Sequence, residues 1–259
     1  EGEAAGDYFG WSVASAGDVN GDGYADVVIG ANFNDDTGSN AGEAYVYHGS
    51  ASGLSATPDW SDQGEAASDY FGLSVASAGD VNGDGYADVV VSAPSNNDAG
   101  TSAGEVYVYH GSASGLSATP DWTATGEAAG DAFGISVASA GDVNGDGYAD
   151  VIVGAYLRDD SSYSDVGEAY VYHGSASGLS TTSDWSEQIG AVNDYFGYSV
   201  ASAGDVNGDG YADVVVGAYL NDDAYSSAGE AYVYQSPGYP ARGTWESPIL
   251  NLDDTGGVD

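Results

Sequence analysis

The eleven residues AGDVNGDGYAD occupy positions 16–26 and return unchanged at 78–88, 140–150 and 203–213. The Asp that opens each loop falls at Asp18, Asp80, Asp142 and Asp205, in steps of 62, 62 and 63 residues. Other landmarks keep the same period. Phe-Gly stands at Phe9-Gly10, Phe71-Gly72, Phe133-Gly134 and Phe196-Gly197, and Tyr-Val-Tyr at 45–47, 107–109, 170–172 and 232–234. A Trp follows at Trp60, Trp122, Trp185 and Trp245. A fixed period of this kind marks a repeat architecture, in which each unit buries its apolar faces against its neighbours. Divisions are expected near 1–63, 64–125, 126–188 and 189–250, with 251–259 as a tail that starts a further module or serves as an assembly strand.

Each unit reads as short strands. FGWSVASAG (9–17) alternates, ADVVIGA (25–31) is a β-branched run of the kind buried on both faces, and GEAYVYHG (42–49) alternates again. A fourth strand, anchored by its Trp near PDWSDQ (58–63), is expected at the edge. Gly, Asn, Asp and Pro clusters bound them all, and nothing between them reads as a helix. Hydrophobic residues make up 42% of the chain, enough for a core, with Tyr and Gly abundant and Met absent. Four antiparallel strands in every period predict an all-β fold with propeller-type blades. A stacked β-solenoid is the nearest alternative.

The repeated loop carries the chemistry. Asp18, Asn20, Asp22 and Asp26 put oxygen-bearing side chains at loop positions 1, 3, 5 and 9, Gly23 sits at position 6, and Tyr24 offers its carbonyl at position 7. Calcium takes six to eight oxygen ligands, and alternate side chains of a tight loop can meet at one ion. Three Asp in nine residues also repel one another without a cation. The competing reading is an Asx-rich turn without metal. The loop departs from the helix-flanked EF-hand, which ends on Glu at position 12, because that position here is Ile29 inside a strand.

Phe9-Gly10, the loop 18–26 and Gly30-Ala31 together resemble an FG-GAP repeat, the blade unit of integrin-α-type β-propellers. The third element reads Ser92-Ala93-Pro94, Gly154-Ala155-Tyr156 and Gly217-Ala218-Tyr219 in the later copies. The resemblance covers residues 1 to about 235 and implies calcium-stabilised blades of an extracellular or cell-surface protein. It implies Ca2+, about four ions per chain, held by Asp18, Asn20, Asp22, Tyr24 and Asp26 and by the matching sets in the other loops. Those are Asp80, Asn82, Asp84, Tyr86 and Asp88; Asp142, Asn144, Asp146, Tyr148 and Asp150; and Asp205, Asn207, Asp209, Tyr211 and Asp213. Members of the family usually close with seven blades. Four blades leave two forms open, a closed four-bladed ring or a part of a larger ring or assembly. Metal-dependent folding and recent duplication both account for the identity of the copies.

Charge narrows the partners. Forty-one acidic residues against two basic ones, Arg158 and Arg242, give a net charge of −39. Nucleic acid is excluded as a partner, because binding it requires basic patches. Such a surface suits high-salt or calcium-rich water, where screening limits self-repulsion, and a halophilic or marine source is expected. No apolar run is long enough to span a membrane as a helix. Absence of Cys excludes disulfides and agrees with export. The chain opens inside a motif, as an excised or processed product would.

In an up-and-down meander the calcium loops share one end of the blades with HGSASGLSATPDW. The other end carries the segments that vary, 32–40, 94–102, 156–166 and 219–228, rich in Tyr, Asn, Asp and Ser. Drift in solvated loops and a recognition role for proteins or sugars are both compatible with that variation. His48, His110 and His173 give way to Gln235 in the fourth copy, which assigns them to packing. GSASG (49–53) has Ala51 where a serine nucleophile would stand. The Asp pairs at 35–36, 159–160 and 222–223 read as a solvated or secondary cation-binding face. The segment 243–252 breaks the repeat and is expected to complete the last blade or to pair with another subunit.

The sequence therefore predicts a non-catalytic, calcium-stabilised propeller module for adhesion, recognition or surface assembly. Its expected partners are other copies of itself, other surface proteins or glycans. A structural subunit of an extracellular fibre or surface layer is the first alternative, and an accessory domain of a secreted enzyme the second.

Overall fold

A computed structural model describes residues 2–160, 163–221 and 227–236, and the segment 243–252 with Trp245 lies outside them. The described residues are all-β, without a helix. Blade 1 comprises β1 (Ser12–Gly17), β2 (Asp26–Ala31), β3 (Glu43–Tyr47) and β4 (Trp60–Gln63). Blade 2 comprises β5 (Val75–Gly79), β6 (Asp88–Ala93), β7 (Glu105–Tyr109) and β8 (Trp122–Thr125). Blade 3 comprises β9 (Ser136–Gly141), β10 (Asp150–Ala155), β11 (Glu168–Tyr172) and β12 (Trp185–Glu187). Blade 4 shows β13 (Phe196–Gly204), β14 (Asp213–Ala218) and β15 (Glu230–Tyr234). Each sheet is an antiparallel meander with its strands in chain order, and β1, β5, β9 and β13 pack side by side as the inner strands.

The core lies between blades, because a sheet with apolar residues on both faces must be covered twice. Ala16, Val19, Val28, Ala44 and Val46 of blade 1 meet Phe71, Val75, Val91, Tyr107 and Tyr109 of blade 2. The same pairing of a small-residue face with an aromatic face recurs between blades 2 and 3 and between blades 3 and 4. Successive residues of a strand thus enter different cores, and β7 and β11 are buried at every position. The alternation expected for GEAYVYHG is therefore not one between core and solvent. The Trp of each outer strand joins its blade to the next: Trp60 Nε1 donates to the Ser117 carbonyl and Trp122 Nε1 to the Ser180 carbonyl.

The repeated loops also dock on one another. The Ala87 amide donates to the Asp18 carbonyl at 3.0 Å, as Ala149 does to Asp80 and Ala212 to Asp142. The Tyr86 ring lies over Gly21, so that a Cβ there would fall 2.5 Å from its edge, and Tyr148 and Tyr211 cover Gly83 and Gly145 in the same way.

Among the described residues the two outermost faces stay open. Val13 is 63% exposed on blade 1, whereas its counterparts Val75, Val137 and Val200 are at 5–6%. Val206 is 53% exposed on blade 4, against 0–2% for Val19, Val81 and Val143. Gly208 has open space where the other loop glycines meet a Tyr ring, and Tyr24 on blade 1 is exposed.

That difference provides a control inside the chain. Gly83 and Gly208 both have left-handed backbones, so alanine at either costs about 1–2 kcal/mol. At Gly83 the Cβ would also meet the Tyr148 ring at 2.4 Å, an overpacking that adds about 1–3 kcal/mol. Gly83→Ala should therefore lower Tm clearly more than Gly208→Ala in calorimetry, and equal losses would contradict loop-on-loop docking.

Candidate metal centre

Each repeated loop is folded around its first Asp. The Asp18 carboxylate accepts the amides of Asp22 at 3.1 Å and Gly23 at 2.8 Å, and Asn20 Oδ1 accepts the Asp22 amide at 2.9 Å. Asn20 Nδ2 lies 3.3 Å from Asp22 Oδ2, and Asp22 Oδ1 accepts the Tyr24 amide. Asp80, Asn82 and Asp84, then Asp142, Asn144 and Asp146, then Asp205, Asn207 and Asp209 repeat the arrangement. Positions 1, 3 and 5 are thus brought together at the mouth of every loop. Gly23 turns the chain at a φ of 90°, a conformation that a side chain would oppose. Tyr24, Tyr86, Tyr148 and Tyr211 stand at position 7, three of them with rings engaged by the preceding blade.

Position 9 does something the spacing does not reveal. Asp26 is fully buried; its Oδ2 accepts the Val19 amide at 2.8 Å and its Oδ1 the Gly49 amide at 2.7 Å. Asp88, Asp150 and Asp213 bridge the same elements in their blades. This carboxylate closes the first hairpin and ties it to the end of the third strand. Each of its two oxygens thus has one lone pair engaged by a backbone amide. Among the described residues, the loop carboxylates are not one of the groups of three whose oxygens gather within 4.8 Å.

The donor set fits a hard cation, being oxygen only and anionic. The local field agrees. Burial pushes the Asp150 carboxyl up to about 7 and the charges of Asp146 and Asp142 push in the same direction, against the amides of Gly174 and Val143. Burial raises Asp88 as well. A divalent ion in the loop would supply the positive charge that these carboxylates lack.

His48 and His110 lie beside Gly115 and Gly178 of the next blade, which agrees with packing. The Asp26–Gly49 bond puts the loop and the β3–β4 connection at one end of the blade. At the opposite end, Phe71 and Tyr70 of the link bond to Ala41 and Asn40 of the β2–β3 connection. Two aromatic groups gather at this second end. Tyr8, Trp11, Phe33 and Tyr70 form one, with ring centroids 4.8–6.4 Å apart. Tyr156, Tyr195, Tyr198 and Tyr219 form the other, at 4.4–5.7 Å. Tyr8, Trp11, Tyr198 and Tyr219 expose 43–58% of their surface.

The family model described as FG-GAP repeat matches residues 9–47, 71–109, 133–172 and 196–234. This chain belongs to the FG-GAP repeat family. Its repeats are similar to those of integrin alpha-6 of Homo sapiens, at 32% identity over 219 residues, which is 84% of this chain and 13% of that protein. Integrin alpha-6 of Gallus gallus is 39% identical over 43% of this chain and 10% of its own length. Integrin alpha-PS2 of Drosophila melanogaster is 38% identical over 43% of this chain and 8% of its own length. The FG-GAP chain thus spans about a tenth of the length of these relatives.

The roles of positions 5 and 9 separate experimentally. Asp150→Ala orphans two buried amides, each costing about 1–3 kcal/mol, and should destabilise the FG-GAP blades even in excess chelator. Asp146→Ala should destabilise them in calcium but add little once calcium is removed. Denaturant melts of both variants with and without chelator check this.

Proposed function

We propose that the chain is a calcium-stabilised, non-catalytic FG-GAP module of an extracellular adhesion or recognition protein. Calcium is held at the four loops by Asp18, Asn20, Asp22, the Tyr24 carbonyl and a remaining lone pair of Asp26, and by their counterparts. It supplies charge neutralisation there, and the loops supply a fixed set of oxygens. Ligands are surface proteins or glycans, and they meet the end of the blades opposite the loops. The observation that carries this reading is the pair of exposed aromatic groups on that end. Aromatic rings beside acidic and amide side chains offer a flat apolar face with polar groups around it. The similarity to integrin alpha chains, which are cell-surface adhesion proteins, supports the same class of role.

Two measurements test it. Excess chelator should lower Tm, because an ion bound only by the folded state stabilises that state; an unchanged calorimetric transition would refute calcium stabilisation. Tyr198→Ser with Tyr219→Ser should abolish binding to a glycan array or to a cell layer while leaving Tm within a few degrees. Binding that survives both substitutions would remove the recognition face from this end.

The open flanks favour a second reading, assembly of copies. Blade 4 presents Val206, Val215, Ala231 and Val233, the counterparts of the residues on which blades 2, 3 and 4 are seated. Blade 1 presents Val13, Val27, Ile29 and Tyr47, the counterparts of the seated face. A second copy can add its blade 1 to the blade 4 of the first by the interface already used three times within the chain, a head-to-tail contact. Sedimentation in calcium should show concentration-dependent association that Val13→Asp removes. A stable 26.0 kDa species at all concentrations would exclude it.

A further inference from the structure

We infer a second class of cation site, on the face opposite the loops: Glu65, Asp98 and Glu105 hold a hard divalent cation in blade 2, and Glu3, Asp36 and Glu43 hold its equivalent in blade 1. In each group one carboxylate oxygen from every member lies within 4.8 Å of the others. The members come from three elements, the link before the inner strand, the β2–β3 connection and the first residue of the third strand. Glu43 and Glu105 are buried, and burial raises both carboxyls.

Proximity of acids alone would not make a site. The first independent sign is Asp69, which is 1% exposed and has one carboxylate oxygen, Oδ1, buried without a hydrogen-bond partner. Its other oxygen, Oδ2, accepts the Ala66 amide at 2.8 Å, which holds the carboxylate beside Glu65. An anionic oxygen sealed from water and left unpaired is costly unless a cation meets it.

The second sign comes from blade 3. Asn34, Asn96 and Asn221 share one position in the β2–β3 connection, and the third copy has Arg158 there. Its guanidinium reaches Glu127 at 2.5 Å, Glu168 at 3.5 Å and Asp131 at 3.7 Å. Those three are the repeat counterparts of Glu65, Glu105 and Asp69. In blade 3 the chain thus sets a cation of its own among these carboxylates. Blades 1 and 2 keep the carboxylates and have Asn in place of the Arg, so the positive charge must come from solution. The ligands are all oxygens, which selects calcium or magnesium over softer metals. In blade 4 the first ligand is lost, since Gly190 stands where Glu65 does.

Equilibrium dialysis with calcium at millimolar concentration tests the assignment by ion count. Asp98 is exposed, so Asp98→Asn should fold normally by circular dichroism and bind one ion fewer per chain. Arg158→Asn restores in blade 3 the residue found in blades 1, 2 and 4, frees Glu127, Asp131 and Glu168, and should bind one ion more. An unchanged count in either folded variant overturns the proposal. Asp84→Ala, run alongside, reports on the loop of the same blade, so that failure of the loop sites and failure of the carboxylate sites give different counts.

Discussion

One contact organises the molecule: the repeated phrase touches its own next copy. The amide of Ala87 bonds to the carbonyl of Asp18, the Tyr86 ring covers Gly21, and the Ala87 methyl fills the space left by Gly17. The same three contacts recur at the next two junctions. Each of the two middle phrases is a receptor for the blade after it and a ligand for the blade before it, and the first and last play one of these roles each. A substitution suited to one role must also suit the other, in two neighbouring copies at once. Self-complementarity is therefore a third reason, beside metal ligation and duplication, for eleven residues to stay identical.

Much of this was legible in the sequence. The period announced four units, the strand patterns announced an all-β blade, and the Trp marked the outer strand. Meander order placed the loops and the variable connections at opposite ends, as the Asp26–Gly49 and Phe71–Ala41 bonds show. Other features were hidden because linear spacing does not say which strand end arrives beside which loop. Asp26 looked like a ninth-position ligand like the others, yet its two oxygens hold amides from either side of the hairpin base. The left-handed residue before Phe-Gly, Tyr8, Tyr70, Ala132 or Tyr195, carries no composition signal, since Tyr and Ala are not residues that favour positive φ.

Arg158 gives a different lesson. In the sequence it enters only as one of two basic residues in the charge balance. Aligned by period, it replaces an Asn that in the other blades bonds to a Tyr hydroxyl: Asn34 to Tyr45, Asn96 to Tyr107, Asn221 to Tyr232. The signal was the exception within the repeat. With a net charge of −39, positive charge is the scarce component of this fold, and in one blade the chain supplies it with a guanidinium set among carboxylates.

The faces left open on blades 1 and 4 are copies of faces that are closed between every other pair of blades. Gain or loss of one whole unit would therefore create no unfamiliar surface, since every junction, old or new, is made by the same residues meeting in the same way. For such a chain, lengthening by duplication is a smaller step than most point substitutions. Its history can be written in whole blades while its interfaces stand still.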